Sequence, residues 1–234
     1  MKRILYILLG VLTLASCQEK AFLEHGDGEC VLELDVTRAD MPIVMSRAVD
    51  ADLAVSIVDA NGQLRAYYSP GNVPERLVWY PGDFTVYVYS ENQETWHTAN
   101  DGKGEGCYFA TQHVVLEHDD FRRVSLAVPA TNYAVGIELP EMFDELFASY
   151  QFVLKSGDRE LSIHEGEKVY FDVSDGGFSY TFSATNIEGH TFAHSSKMLN
   201  DVQSGKLYLI SYLYGPDEVL SEAEVNISDN PLQW

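Results

Sequence analysis

Short runs of alternating residues, broken by pairs that force tight turns, constrain this chain more than any other feature. In "FTVYVYS" (Phe84–Ser90), Phe84, Val86 and Val88 fall on one side of an extended strand and Thr85, Tyr87 and Tyr89 on the other. A face of Phe and Val belongs against a core. A face of tyrosines, with apolar rings and polar tips, suits a half-wet surface. The strand "RLVWY" (Arg76–Tyr80) precedes it, and Pro81-Gly82 lies between them. Proline presets φ and glycine permits positive φ, the combination a sharp chain reversal needs. "VLELDV" (Val31–Val36) and "LAVSIVD" (Leu53–Asp59) alternate in the same way, and Asn61-Gly62 then turns the chain into "LRAYYS". "HVVLEH" and "RRVSLAV" follow, separated by Asp119-Asp120.

A second series begins near Pro129. "YAVGIEL", "YQFVLKS", "RELSIH", "KVYFDV", "FSYTFSATNI", "KLYLISYLY" and "EAEVNIS" read as strands with glycine-containing turns between them. "PEMFDELF" (Pro140–Phe147) opens with proline and sets Phe143 and Phe147 one turn apart, which predicts a single short helix. The expected fold class is therefore all-β, with two β-sandwich domains and one short helix in the second. The expected boundaries are 26–129 and 130–234, after a leader at 1–16 and a tether at 17–25. No fixed-period repeat of the solenoid or propeller kind is present.

The N-terminus predicts an address. Lys2 and Arg3 precede "ILYILLGVLTLA", an uncharged run of signal-peptide length that is too short to span a bilayer. "LASC" (Leu14–Cys17) then resembles the bacterial lipobox, which makes Cys17 the expected lipidation site; an ordinary secretory signal with a chance cysteine is the alternative. Loss of Lys2 and Arg3 with the leader leaves 13 basic against 36 acidic residues, moving the formal charge from -21 to -23. Such a surface repels nucleic acid phosphates, so nucleic acid is excluded as a partner. The membrane is reached through the N-terminal lipid. Cys30 and Cys107 remain, and outside the cytoplasm they can form a disulfide or stay as two buried thiols.

A search for chemistry returns little. His190 and His194 lie four apart in a segment that reads as strand, where that spacing is about 13 Å, too far to share an ion. "DGKGEGCYFATQ" (Asp101–Gln112) imitates a calcium loop, but Lys103 and Gln112 stand where ligands belong. No nucleophile elbow, P-loop or dinucleotide fingerprint occurs. No catalytic residue, metal site or cofactor is expected. Aromatic residues are the remaining lead: Tyr87, Tyr89 and Trp96 could stack on a glycan, and core filling is the plainer role for such rings.

The lipobox, "VLELDV", "LAVSIVDANGQLRAYY", "VPERLVWYPGDFTVYVYS" and "SATNIEGHTFAHSSKMLNDVQSGKLYLISYLY" together resemble a lipoprotein family of Bacteroidetes, domain of unknown function 4493. Order and spacing carry this likeness, from about Phe22 to about Ile227. It implies an exported, transthyretin- or fimbrillin-like β-sandwich protein with no assigned catalytic residues. It also implies an outer-membrane lipoprotein, at the cell surface or on the periplasmic side, whose partners are fimbrial subunits or other surface proteins, with a glycan as the alternative. In fimbrillin-type subunits, cleavage after an arginine near the first strand opens a groove for a neighbour's strand. Arg38 and Arg47 stand at the matching place, where ordinary loop arginines are the other reading.

Overall fold

The structure is a computed structural model that describes residues 28–39, 51–214 and 220–228. The first part of the chain forms β1 (Cys30–Arg38), β2 (Ala54–Asp59), β3 (Leu64–Tyr68), β4 (Arg76–Trp79), β5 (Gly82–Tyr89), β6 (Phe109–Leu116) and β7 (Phe121–Val128). They make two sheets, in the orders β4-β1-β7 and β3-β2-β5-β6. One cluster joins the inner faces of both, drawing Leu32 and Leu34 from β1, Ile57 from β2, Val86 and Val88 from β5 and Val124 from β7. That is a β-sandwich.

The second part adds β8 (Tyr133–Glu138), the helix α1 (Phe143–Leu146), β9 (Phe147–Ser156), β10 (Arg159–Ile163), β11 (Lys168–Phe171), β12 (Ser179–Asn186), β13 (Thr191–Ser195), β14 (Leu207–Tyr214) and β15 (Leu220–Ser228). Its sheets run β11-β8-β14-β15 and β10-β9-β12-β13, around a separate core. The first core ends at Ala130 and the second begins at Tyr133.

The two sandwiches share one topology. Replacing each of β1 to β7 by the strand seven places later turns β4-β1-β7 into β11-β8-β14, and β3-β2-β5-β6 into β10-β9-β12-β13. Each sandwich also has one parallel pair at the equivalent place, β1 with β7 and β8 with β14. Among the described residues β15 has no counterpart in the first sandwich; it lies antiparallel along the outer edge of β14.

Asn61-Gly62 turns as the sequence predicts, whereas Pro81-Gly82 does not fold β4 back on β5. Pro81-Gly82 is a corner at which the chain leaves one sheet of the first sandwich for the other. Gly82 has φ +154°, and a Cβ there would come within 2.9 Å of the Phe84 ring. Asn61-Gly62 closes the β2–β3 hairpin, with Gly62 at φ +78° and its N–H on Asp59 O at 2.9 Å. The predicted helix is shorter than the Pro140–Phe147 pattern suggests. Met142 sits in the left-handed region at φ 65°, so the helix cannot begin before Phe143. Phe143 and Phe147 still stack, with ring centroids 4.5 Å apart.

Candidate functional site

The outer face of the four-stranded β3-β2-β5-β6 sheet carries the most unusual surface. Register sets Tyr87 of β5 opposite Ser56 of β2 and Thr111 of β6, and Ser56 in turn opposite Tyr67 of β3. The next row sets Tyr89 opposite Phe109. Tyr67, Tyr87 and Tyr89 are half-buried, and Phe109 is 42% exposed. The Tyr87 and Phe109 rings lie 6.4 Å apart. The hydroxyls of Ser56 and Tyr89 bond at 3.0 Å, and the Tyr67 hydroxyl donates to Glu91. Side-chain alternation on paired strands thus builds a flat patch of rings edged with hydroxyls. It offers stacking area and hydrogen-bonding groups and no converging acid and base.

Trp96 does not join this patch. It lies in the loop between β5 and β6 and faces the second sandwich, where the Arg159 guanidinium of β10 sits 5.5 Å from its ring centroid and 5.1 Å from that of Phe171. Arg159 donates to Gly102 O at 2.5 Å and to Tyr170 O at 2.6 Å, joining a carbonyl from each sandwich. Burial pulls its pKa below the ordinary value. Beside it, Lys103 pairs with Glu167 at 2.5 Å, and the Tyr170 N–H bonds Lys103 O at 2.8 Å. The Lys103 hydrogen bond, followed by the His164 N–H, holds the Glu167 carboxyl below the usual carboxylate range. Gly104, at φ +84°, lets the loop approach closely, since a Cβ there would fall 3.2 Å from Tyr170 Cβ. The segment that imitates a calcium loop is therefore a strap between sandwiches. Asn132 seals the same junction: its side chain accepts from Cys107 N–H and donates to Glu105 O, at 3.2 and 2.8 Å, and it is 3% exposed. The sequence signal for the strap was the glycine spacing around Lys103, which has no meaning until Arg159 and Glu167 are placed opposite.

The other sequence candidates fall elsewhere. Cys30 and Cys107 are free, buried thiols. Cys30 donates to Glu117 O at 2.8 Å, and burial pushes its pKa up, which leaves it unreactive. Arg38 ends β1 with its guanidinium 3.4 Å from Asp52 and 5.4 Å from the Tyr108 ring centroid, and its side chain is only 18% exposed. Cys17 and Arg47 lie outside the described residues. His194 contacts the Tyr212 hydroxyl at 3.3 Å, whereas exposed His190 lies beside Glu188 at 3.6 Å. Among the described residues no group of three His, Cys, Asp or Glu side chains is placed to hold a metal ion, and no helix is long and apolar enough to cross a membrane.

A candidate cell adhesion protein from Bacteroides uniformis ATCC 8492 shares the fold, with TM-score 0.52 and 12% identity over 87% of this chain and 99% of that one. The tip fimbrial protein Mfa3 from Porphyromonas gingivalis, C-terminally truncated, gives TM-score 0.48 and 10% identity over 85% and 99%. A second candidate cell adhesion protein, from Bacteroides ovatus ATCC 8483, gives 0.47 and 10% over 89% and 100%. No curated protein matches the sequence. Residues 28–228 match the family described as Domain of unknown function (DUF4493), and the chain belongs to that family.

Proposed function

We propose that this protein is a lipid-anchored component of the cell envelope, tethered through Cys17 in the outer membrane, with a non-catalytic structural or adhesive role associated with fimbriae. The observation that carries the reading is the outward ring-and-hydroxyl face of half-buried Tyr67, Tyr87 and Tyr89 and exposed Phe109, on a sandwich whose fold is that of a candidate cell adhesion protein. Rings of this kind supply contact area at low entropic cost and are favoured where one molecule grips another. The two sandwiches are taken as domains 26–129 and 130–234, a division supported by cores that end at Ala130 and begin at Tyr133.

Metabolic labelling with an alkyne fatty acid tests the anchor. Label should enter the wild-type protein and be absent from Cys17→Ala; equal labelling of both rejects lipidation at Cys17. Adhesion of cells bearing the protein should fall when Tyr87 and Tyr89 become alanine, and unchanged adhesion rejects this face as the gripping surface. Treatment with a trypsin-like protease tests processing at Arg38 or Arg47, where the absence of a discrete cut rejects it.

A glycan-binding role is the second reading, favoured by the hydroxyls of Ser56, Thr111 and the tyrosines among the rings, which suit stacking together with hydrogen bonding to a sugar. Retention of a polysaccharide on a glycan array, lost in the same double variant, would select it over a protein ligand. No retention would set it aside.

A further inference from the structure

We propose that the outer edge of β7 is an acceptor site for an extended, acidic strand donated by a second polypeptide. The internal repeat carries the inference. β14, the counterpart of β7, pairs with β8 on one side and with β15 on the other. β7 pairs with β1 on one side, and among the described residues no strand pairs with the other. One topology thus has its eighth place filled in the second sandwich and, among the described residues, open in the first.

The ladder tells which groups wait there. Val31 N–H bonds Asp120 O, and Ala39 N–H bonds Val128 O, both at 2.9 Å. In a parallel pair these bonds commit the backbone groups of alternate residues to the neighbour. The even-numbered residues of β7 therefore face β1, and Phe121, Arg123, Ser125 and Ala127 direct their N–H and C=O groups to the open edge. Such a row is a template for strand addition. A cleft of about 460 Å³ runs beside it, between β7 and β6, the edge strand of the facing sheet, with Val114 and Val124 in its lining. An added strand would set alternate side chains toward those valines and complete the sandwich as β15 does in the other.

Charge selects the occupant. The molecule as a whole is strongly acidic, at -21, yet His113, Arg122 and Arg123 line this cleft. The Arg122 and Arg123 side chains stay 52% and 42% exposed; Arg122 meets Asp120 at 3.3 Å, a long contact that a second carboxylate can share at little cost, whereas Arg123 is held by the mostly buried Glu33. β15, which fills the equivalent place, has the sequence "LSEAEVNIS", with acids at Glu222 and Glu224. The strand is added on the edge of β7 opposite β1, and β1 stays in place, so no cleavage after Arg38 or Arg47 is required.

The inference goes beyond the adhesive reading and is tested apart from it, because peptide binding needs neither lipid nor glycan. The probe is a fluorescent synthetic peptide of Leu220–Ser228, titrated into the mature chain and read by anisotropy. Saturable binding is expected, with the amides of Phe121, Arg123, Ser125 and Ala127 gaining protection from hydrogen exchange. Ser125→Pro removes one outward N–H without touching the β1 ladder, and should weaken binding by about tenfold or more with the thermal midpoint retained. Should that variant fail to fold, a peptide N-methylated at alternate residues makes the same test on the unaltered protein. Lysine at both peptide glutamates should also weaken binding. Absence of binding, or binding that neither backbone block reduces, overturns the proposal.

Discussion

The two sandwiches have one topology and unlike interiors. In the first core, three of the 18 buried members are aromatic, Trp79, Phe84 and Tyr108, and the rest are mainly Val, Leu and Ile. In the second, nine of 17 are aromatic, and Phe182 alone meets Phe143, Tyr150, Phe152, Phe192 and Tyr212 at ring-centroid distances of 4.4 to 6.3 Å. A strand order can therefore be met by small branched side chains or by large rings, provided that volume and alternation are kept. The difference lies in how each core fails. An aliphatic core spreads its contacts over many small side chains, and a ring cluster concentrates them in a few.

The largest effect should come from breaking that concentration. Phe182→Ala should cost about 3–5 kcal/mol and unfold the second sandwich first, against about 1 kcal/mol for Ile57→Val in the first. Denaturant unfolding in a Trp96→Phe, Trp234→Phe background, followed by the fluorescence of the remaining Trp79 in the first core and by near-ultraviolet dichroism, should show the two transitions separate. Coincident loss of both signals in Phe182→Ala would deny the cores their independence.

Alkali should attack the second core next. Burial is the main cause that pushes the Tyr133 phenol up to about 12, with its hydroxyl 3.1 Å from Ser156 Oγ. A phenol that ionises more readily unfolded than folded supports the fold below its ordinary pKa of 10.0 and loses that support as pH rises toward about 12. The loss should be smaller in Tyr133→Phe than in the wild type by about 1–2 kcal/mol, as read from urea midpoints between pH 9 and about 11.5, with Cys30 and Tyr80, whose pKa values burial also raises, accounting for loss that remains.

The strap gives a smaller, coupled effect. Arg159→Met keeps packing against Trp96 and Phe171 but leaves Gly102 O and Tyr170 O without their donor, at a cost of about 2 kcal/mol. Limited proteolysis should then cut the 91–106 loop faster, and unchanged cutting would contradict the strap. Smallest of all, Trp79→Phe should be nearly neutral, because the buried indole N–H has no hydrogen-bond partner among the described residues and its loss removes a desolvated group along with some packing. A drop in melting temperature as large as that of Arg159→Met would contradict this ranking.

Much of this architecture was legible in the residues. "FTVYVYS" became β5 with the predicted faces, and Tyr87 and Tyr89 reached the outer surface together. Alternation and turn chemistry are local, so a sequence displays them openly. Sheet partnership is not local. β6 and β7 are joined by a short turn at Asp119-Asp120 yet belong to different sheets, and β1 finds β7 about ninety residues away. The duplication was hidden for the same reason: Val and Leu in one core stand where Phe and Tyr stand in the other, leaving no period to detect. Trp96 was misplaced because its neighbour, Arg159, comes from the other sandwich.

Residue-resolved amide exchange on residues 17–234 alone tests the central proposal, that one repeated topology is closed at β14 and, among the described residues, open at β7. In β7, Arg122, Val124, Leu126 and Val128 should be protected while Phe121, Arg123, Ser125 and Ala127 exchange fast; along β14, held on both sides, protection should show no such alternation. Uniform protection along β7 would mean that its outer edge is already covered, and the contrast between the two sandwiches would be lost.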